Sequence, residues 1–125
     1  MTNSLALIIE DDPDLSTIFA EALRGAEFET EIVRDGYSAL DRLATIVPSV
    51  VVLDLHLPQV SGKDILQQIR DDSRLTETKV ILATADASMA DSLESKADLV
   101  LLKPISFGQL RNLAARLRPP DLVGE

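Results

Sequence analysis

A chain of 125 residues holds one domain with room for a proper core, and 46% hydrophobic with 26% charged residues is the balance of a soluble globular protein. A formal net charge of −9 disfavours direct nucleic-acid binding, which needs clustered Lys and Arg against phosphates, and aromatics at 3% leave no platform for stacking bases. No cysteine is present, which excludes disulfides and thiolate metal sites, and no apolar stretch approaches the ~20 residues of a membrane span.

Short apolar runs alternate with amphipathic stretches, the pattern of βα units on a parallel sheet. The N-terminus MTNSLALIIEDD has no basic region and a short apolar run ending in three acids. It does not read as a signal peptide, and a cytoplasmic location is the default expectation. The first strand is Leu5–Ile9, and Glu10, Asp11 and Asp12 follow it. A helix is predicted over about 13–24, with Leu15, Ile18, Phe19, Ala22 and Leu23 on one stripe. Pro13 suits its first turn, and Gly25 is placed to end it. The alternating segment Glu29–Val33 predicts a less buried strand. Asp35-Gly36 makes a turn, then Ala39, Leu40, Leu43, Ala44 and Val47 mark a second helix stopped by Pro48.

The run 50–53 is the most continuous β-branched stretch, the mark of a strand covered on both faces, and Asp54 closes it. The loop LHLPQVSG follows, then a third helix over about 61–71 showing Ile65, Leu66 and Ile69. The fourth strand, 80–83, leads to Thr84. A short fourth helix over about 86–95 has only Met89, Ala90 and Leu93 on its apolar face, so it should be the least anchored element. The fifth strand, Leu99–Leu102, leads to Lys103-Pro104. The last helix, about 107–117, presents Phe107, Leu110, Leu113, Ala114 and Leu117, with Arg111, Arg116 and Arg118 suited to its negative C-terminal end. One domain over 1–118 and a fraying tail over 119–125 are expected.

Four polar residues dominate the chemistry: Asp11, Asp54, Thr84 and Lys103 each follow a predicted strand. In an open parallel α/β sheet the carboxyl ends of the strands share one edge, where ligands bind. Carboxylates, a hydroxyl and an ammonium meeting there can hold a divalent cation and a phosphoryl group. Oxygen-only carboxylate ligands suit Mg²⁺, which keeps waters or phosphate oxygens on its other positions. Helix capping explains one of the acids, Asp12 or Asp14, but not three together with Asp54. On this reading Asp12 is the cap and Asp11 the ligand, while Asp54 is either a ligand or a nucleophile. Phosphoryl transfer needs in-line positioning and neutralised equatorial oxygens, which a metal and Lys103 would supply from two sides. Taken alone, Thr84 is an ordinary strand-end hydroxyl and Lys103 a solvated cation. An X-Pro bond after Lys103 can be cis and would aim the lysine into the crevice.

The set EDD, D-x-x-x-P-x-x-x-G (Asp54, Pro58, Gly62), T-A (Thr84, Ala85) and K-P (Lys103, Pro104) resembles the receiver domain of two-component response regulators, over nearly the whole chain. The resemblance implies a flavodoxin-like three-layer fold, with a doubly wound five-stranded parallel sheet in the order 2-1-3-4-5. It implies that Asp54 is the phosphoacceptor, served by a phosphohistidine on a sensor histidine kinase or histidine phosphotransfer protein. Asp11 and Asp54 would ligate Mg²⁺ with the backbone carbonyl of His56, Glu10 would act through water, and Asp12 is a further candidate. Thr84 and Lys103 would bind the phosphoryl oxygens. Movement of Thr84 would then shift the fourth helix, so that the fourth helix, fifth strand and last helix form the output surface for an unidentified downstream protein and a candidate homodimer face. Such a module signals and is not an enzyme.

Two positions depart from the family pattern. Val100 stands where Tyr or Phe is usual, so no large ring can rotate there when Thr84 moves. Ile105 follows Pro104 where Phe is frequent, an ordinary packing exchange. Ala85 is small and leaves donor access open. His56 and Asp86 should flank the mouth, where they could influence water; a solvated histidine contributing only its backbone is the preferred reading of His56. An aspartyl-phosphate phosphatase of the haloacid-dehalogenase type also uses Asp, Thr, Lys and Mg²⁺, but His56 stands where its general acid is needed. A flavodoxin-like nucleotide- or flavin-binding module lacks support, because EDDPD repels phosphates and no Gly-rich loop occurs. A pseudo-receiver serving only protein interaction is opposed by intact Glu10, Asp11, Asp54, Thr84 and Lys103, and kept in play by Val100.

Overall fold

A computed structural model of the chain describes residues 4–119. Five strands, β1 (Leu5–Ile9), β2 (Glu29–Val33), β3 (Val50–Asp54), β4 (Lys79–Thr84) and β5 (Leu99–Leu102), pair in parallel in the order β2-β1-β3-β4-β5. Five helices connect them or follow the last: α1 (Pro13–Gly25), α2 (Gly36–Leu43), α3 (Gly62–Asp71), α4 (Ala87–Leu93) and α5 (Phe107–Ala115). Because successive side chains on a strand point to opposite faces, β1, β3 and β4 split between two cores. Ala6, Ile8, Val50, Val52, Ile81 and Ala83 pack with residues of α1 and α5. Leu7, Ile9, Val51, Leu53, Val80 and Leu82 pack with residues of α2, α3 and α4 on the other face. The β-branched run of β3 is therefore buried along its whole length, as a central parallel strand should be.

The strand positions and the sheet order agree with the sequence expectations, whereas several helix details differ. The stripe of α1 is rotated toward Ser16 and Ala20, both buried, and leaves Ile18 40% exposed. Ser16 is drawn inward because its hydroxyl accepts bonds from the Arg34 guanidinium at 3.0 and 3.2 Å. Helix α2 ends at Leu43, and Val47 is 58% exposed. Pro48 disfavours helical backbone at the residue before it, so the chain leaves the helix early. Helix α4 has only seven residues and passes into a 3-10 turn, Glu94–Lys96. A second 3-10 turn, Ser73–Leu75, was not foreseen; it buries Leu75. The predicted tail lies largely outside the described residues, of which only Pro119 belongs to it. Among the described residues, no helix is long and apolar enough to cross a membrane.

Candidate metal and phosphoryl site

Strand register brings the polar residues to one edge. Ile9 is level with Leu53, Asp54 with Ala83 and Thr84 with Leu102. Glu10 and Lys103, each one residue past its strand, therefore flank Asp54 and Thr84. The amide of Lys103 donates to the Thr84 carbonyl at 2.8 Å, extending the ladder one step and fixing the start of the lysine side chain. The Lys103-Pro104 peptide is cis.

The side chains converge as the spacing in sequence implied. Carboxylate oxygens of Glu10, Asp11 and Asp54 lie within 4.8 Å of one another, with Glu10 and Asp54 buried and Asp11 exposed at the mouth. The Lys103 ammonium stands 2.9 Å from Glu10 Oε1 and 3.6 Å from Asp54 Oδ1. The amide of His56 donates to Asp54 Oδ1 at 3.1 Å, while its ring is on an exposed residue of the rim. Thr84 is buried, and its Oγ1 accepts the Asp86 amide at 3.0 Å. Pro104 and Ala85 are exposed beside the opening.

The glycine of the site, Gly62, has a steric cause. A Cβ on Gly62 would stand 2.3 Å from the Asp54 carbonyl oxygen and 2.5 Å from Leu55 Cα. Only glycine lets the start of α3 lie against the end of β3, which holds Asp54 and the following loop in place. The amide of Gly62 donates to the Leu55 carbonyl at 3.2 Å, closing that contact.

Other candidates are engaged differently. Asp12 Oδ1 accepts the amides of Asp14 and Leu15, each at 2.9 Å, so it caps α1 and stands apart from the acid trio. Asp86, expected at the mouth, caps α4 by accepting the Met89 amide at 3.0 Å. Its role was legible as an Asp just before a short helix. Val100 is half-buried and packs against the core on the face of α2, α3 and α4. The bond from Lys103 to Glu10 was not foreseen, because a lysine near three acids has no partner marked by sequence distance.

Electrostatically the site is short of positive charge. Three carboxylates face one ammonium. Glu10 is pushed up to about 7, first by burial, which the Lys103 bond partly offsets, and further by the Asp54 charge; the Asp12 amide also pulls it down. Burial pulls Lys103 down most strongly, but its Glu10 bond and the charges of Asp54 and Glu10 together raise it. Carboxylate oxygens gathered with this deficit are the donor set of a hard divalent cation, and the residues present fit Mg²⁺.

A family model described as the response regulator receiver domain matches residues 6–115. The DNA-binding response regulator MtrA of Mycolicibacterium smegmatis is 34% identical over 113 residues, covering 90% of this chain and 50% of MtrA. The chain spans about half the length of the curated relatives it matches. Among solved structures, the bacteriophytochrome response regulator RtBRR aligns with a TM-score of 0.82 at 29% identity, over 100% of this chain and 84% of that one. The receiver domain of sensor histidine kinase PA1611 from Pseudomonas aeruginosa PAO1, which has a magnesium ion coordinated in its active-site cleft, shares the fold with a TM-score of 0.82 at 24% identity, over 93% and 98% of the two chains.

Proposed function

Since this chain belongs to the response regulator receiver family, we propose that Asp54 accepts a phosphoryl group from the phosphohistidine of a sensor histidine kinase or a histidine phosphotransfer protein. A carboxylate oxygen of Asp54 attacks phosphorus in line with the P–N bond. The new P–O bond forms as the P–N bond breaks, and its electron pair stays on the departing imidazole. The observation that carries this reading is the cluster itself: three carboxylates within 4.8 Å, two of them in contact range of one lysine.

Glu10, Asp11 and Asp54 would hold Mg²⁺, with the backbone carbonyl of His56 as a further ligand. Bound there, the ion supplies neutralisation of charge on the phosphoryl oxygens. The chain's own residues do the rest. Lys103 exchanges its Glu10 contact for a phosphoryl oxygen. Thr84 Oγ1 accepts the Asp86 amide, which leaves its own hydrogen free to donate to a second phosphoryl oxygen. The exposed Ala85 leaves the approach to Asp54 open.

The aspartyl phosphate adds about −1.5 to −2 charge to an acidic edge and biases an equilibrium between two arrangements of the α4, β5 and α5 surface. MtrA is described as DNA-binding, but this chain's net charge of −9 favours a protein as the target of this surface. The test is incubation with Mg²⁺ and acetyl phosphate, read by intact mass. The parent should gain one PO₃ unit and Asp54→Asn none. Equal uptake by Asp54→Asn overturns the assignment, and sustained turnover of small phosphate esters by the parent favours a phosphatase.

A further inference from the structure

The two ends of α4 are held in unlike ways. At its C-terminal end, Arg70 in the last turn of α3 reaches three acceptors on separate segments. Its Nε donates to the Lys96 carbonyl at 2.7 Å, Nη1 to the Thr78 carbonyl at 3.1 Å and Nη2 to Asp98 Oδ2 at 3.0 Å. Asp98 Oδ2 also accepts the Val80 amide at 2.8 Å, and the Asp98 amide returns a bond to the Val80 carbonyl at 2.9 Å. Lys96 Nζ donates to Gln67 Oε1 at 2.7 Å, one turn before Arg70 on α3. The link between α4 and β5 is thus tied to α3 and to the start of β4, and Ala90 and Leu93 are the only fully buried residues of α4. At its N-terminal end every hydrogen bond among the described residues is local: the Asp86 amide to Thr84 Oγ1, the Met89 amide to Asp86 Oδ1 and the Ala90 amide to the Asp86 carbonyl. Ala87 and Ser88 are exposed.

We infer that Arg70 and Asp98 form a fixed hinge, about which the first turn of α4 swings when the Thr84 hydroxyl turns to a phosphoryl group. The inference rests on the function proposed above and deepens it by naming which part of the output surface moves. Strand β5 reads Leu-Val-Leu-Leu and offers no ring that could rotate to carry the change outward. The one polar link from Thr84 into the helix is its bond to the Asp86 amide, so displacement of the hydroxyl pulls on residues 85–89 directly. At the other end, motion would have to break several bonds at once, among them the three charge-assisted bonds donated by Arg70. A segment with few ties and one with many respond differently to the same pull.

The experiment is amide NMR and hydrogen exchange on the full chain, with and without Mg²⁺ and beryllofluoride, for the parent, Arg70→Met and the milder Gln67→Met. In the resting parent the Val80 and Asp98 amides should be protected, and Arg70→Met, which removes all three Arg70 bonds and leaves Asp98 without its Arg70 partner, should exchange them at least about tenfold faster. Beryllofluoride should shift amides 84–90 in the parent and leave 94–98 nearly unmoved. In Arg70→Met the shifts should spread through 94–98, and in Gln67→Met they should spread less. Shifts in the parent as large at 94–98 as at 85–89, or a pattern unchanged in both variants, overturn the hinge while leaving the phosphoryl site intact. Absence of any shift around Asp54 and Thr84 defeats the proposed function, and the hinge with it.

Discussion

Glu10 carries the strongest electrostatic tension of the site. It is the most buried acid of the site and is bonded to Lys103. Burial leaves the folded state binding its proton more tightly than the unfolded chain does, with the carboxyl at about 7 against 4.5. A carboxyl raised on folding favours the folded state at low pH, and that advantage drains away as pH climbs from about 4.5 through 7. Urea titrations in a chelator should therefore show cation-free stability falling by about 3 kcal/mol across that window. Lys103→Met removes the bond that holds Glu10 down. Its stability should drop by about 3 kcal/mol at pH 8 and by far less at pH 5, where Glu10 carries a proton. A flat profile in the parent between those limits would contradict the charge deficit described here.

At the scale of elements, the decisive contacts are between helix starts and strand ends. The apolar periodicity that located α3 says nothing about how near it lies to β3. That closeness is visible only as the 2.3 Å that a Cβ on Gly62 would leave to the Asp54 carbonyl oxygen. Gly62→Ala should cost about 2–3 kcal/mol, because backbone must shift to admit the methyl group, and it should slow phosphoryl uptake by displacing Asp54. Gly108, in the first turn of α5, meets no atom within 4 Å of an added Cβ. Gly108→Ala should instead stabilise by about 0.5–1 kcal/mol, the ordinary gain of alanine over glycine in a helix. Thermal melts of the pair settle the matter: equal effects would remove the steric argument. The rotation of the α1 stripe and the early end of α2 arose likewise from neighbours, Arg34 on Ser16 and Pro48 after Val47, and not from periodicity.

For the molecule as a whole, the two cores hold one sheet edge rigid enough to keep like charges together, and a bound cation should repay that strain. Mg²⁺ at a hundred times its dissociation constant would stabilise the fold by about 2.7 kcal/mol. The melting temperature should rise with millimolar Mg²⁺, return on chelation, and rise less in Asp11→Asn. The gain should also be larger at pH 8 than at pH 5, where Glu10 is protonated and the deficit smaller. A melting temperature indifferent to Mg²⁺ at both pH values would remove the metal from the site.

The five strands, their alternation with helices and the polar residues at the strand ends were legible in the chain alone. Apolar period, turn residues and polar strand ends are local signals, and a parallel sheet converts them into one shared edge. The sheet order came with the family resemblance, because pairing between strands leaves no mark within either. The Asp12 and Asp86 caps, being local, were readable from the chain. Tertiary packing was needed to show that Lys103 sits on Glu10 and that α4 is tied down at one end. Those choices depend on distances between segments far apart in the chain, where several partners of equal chemistry compete and packing selects among them.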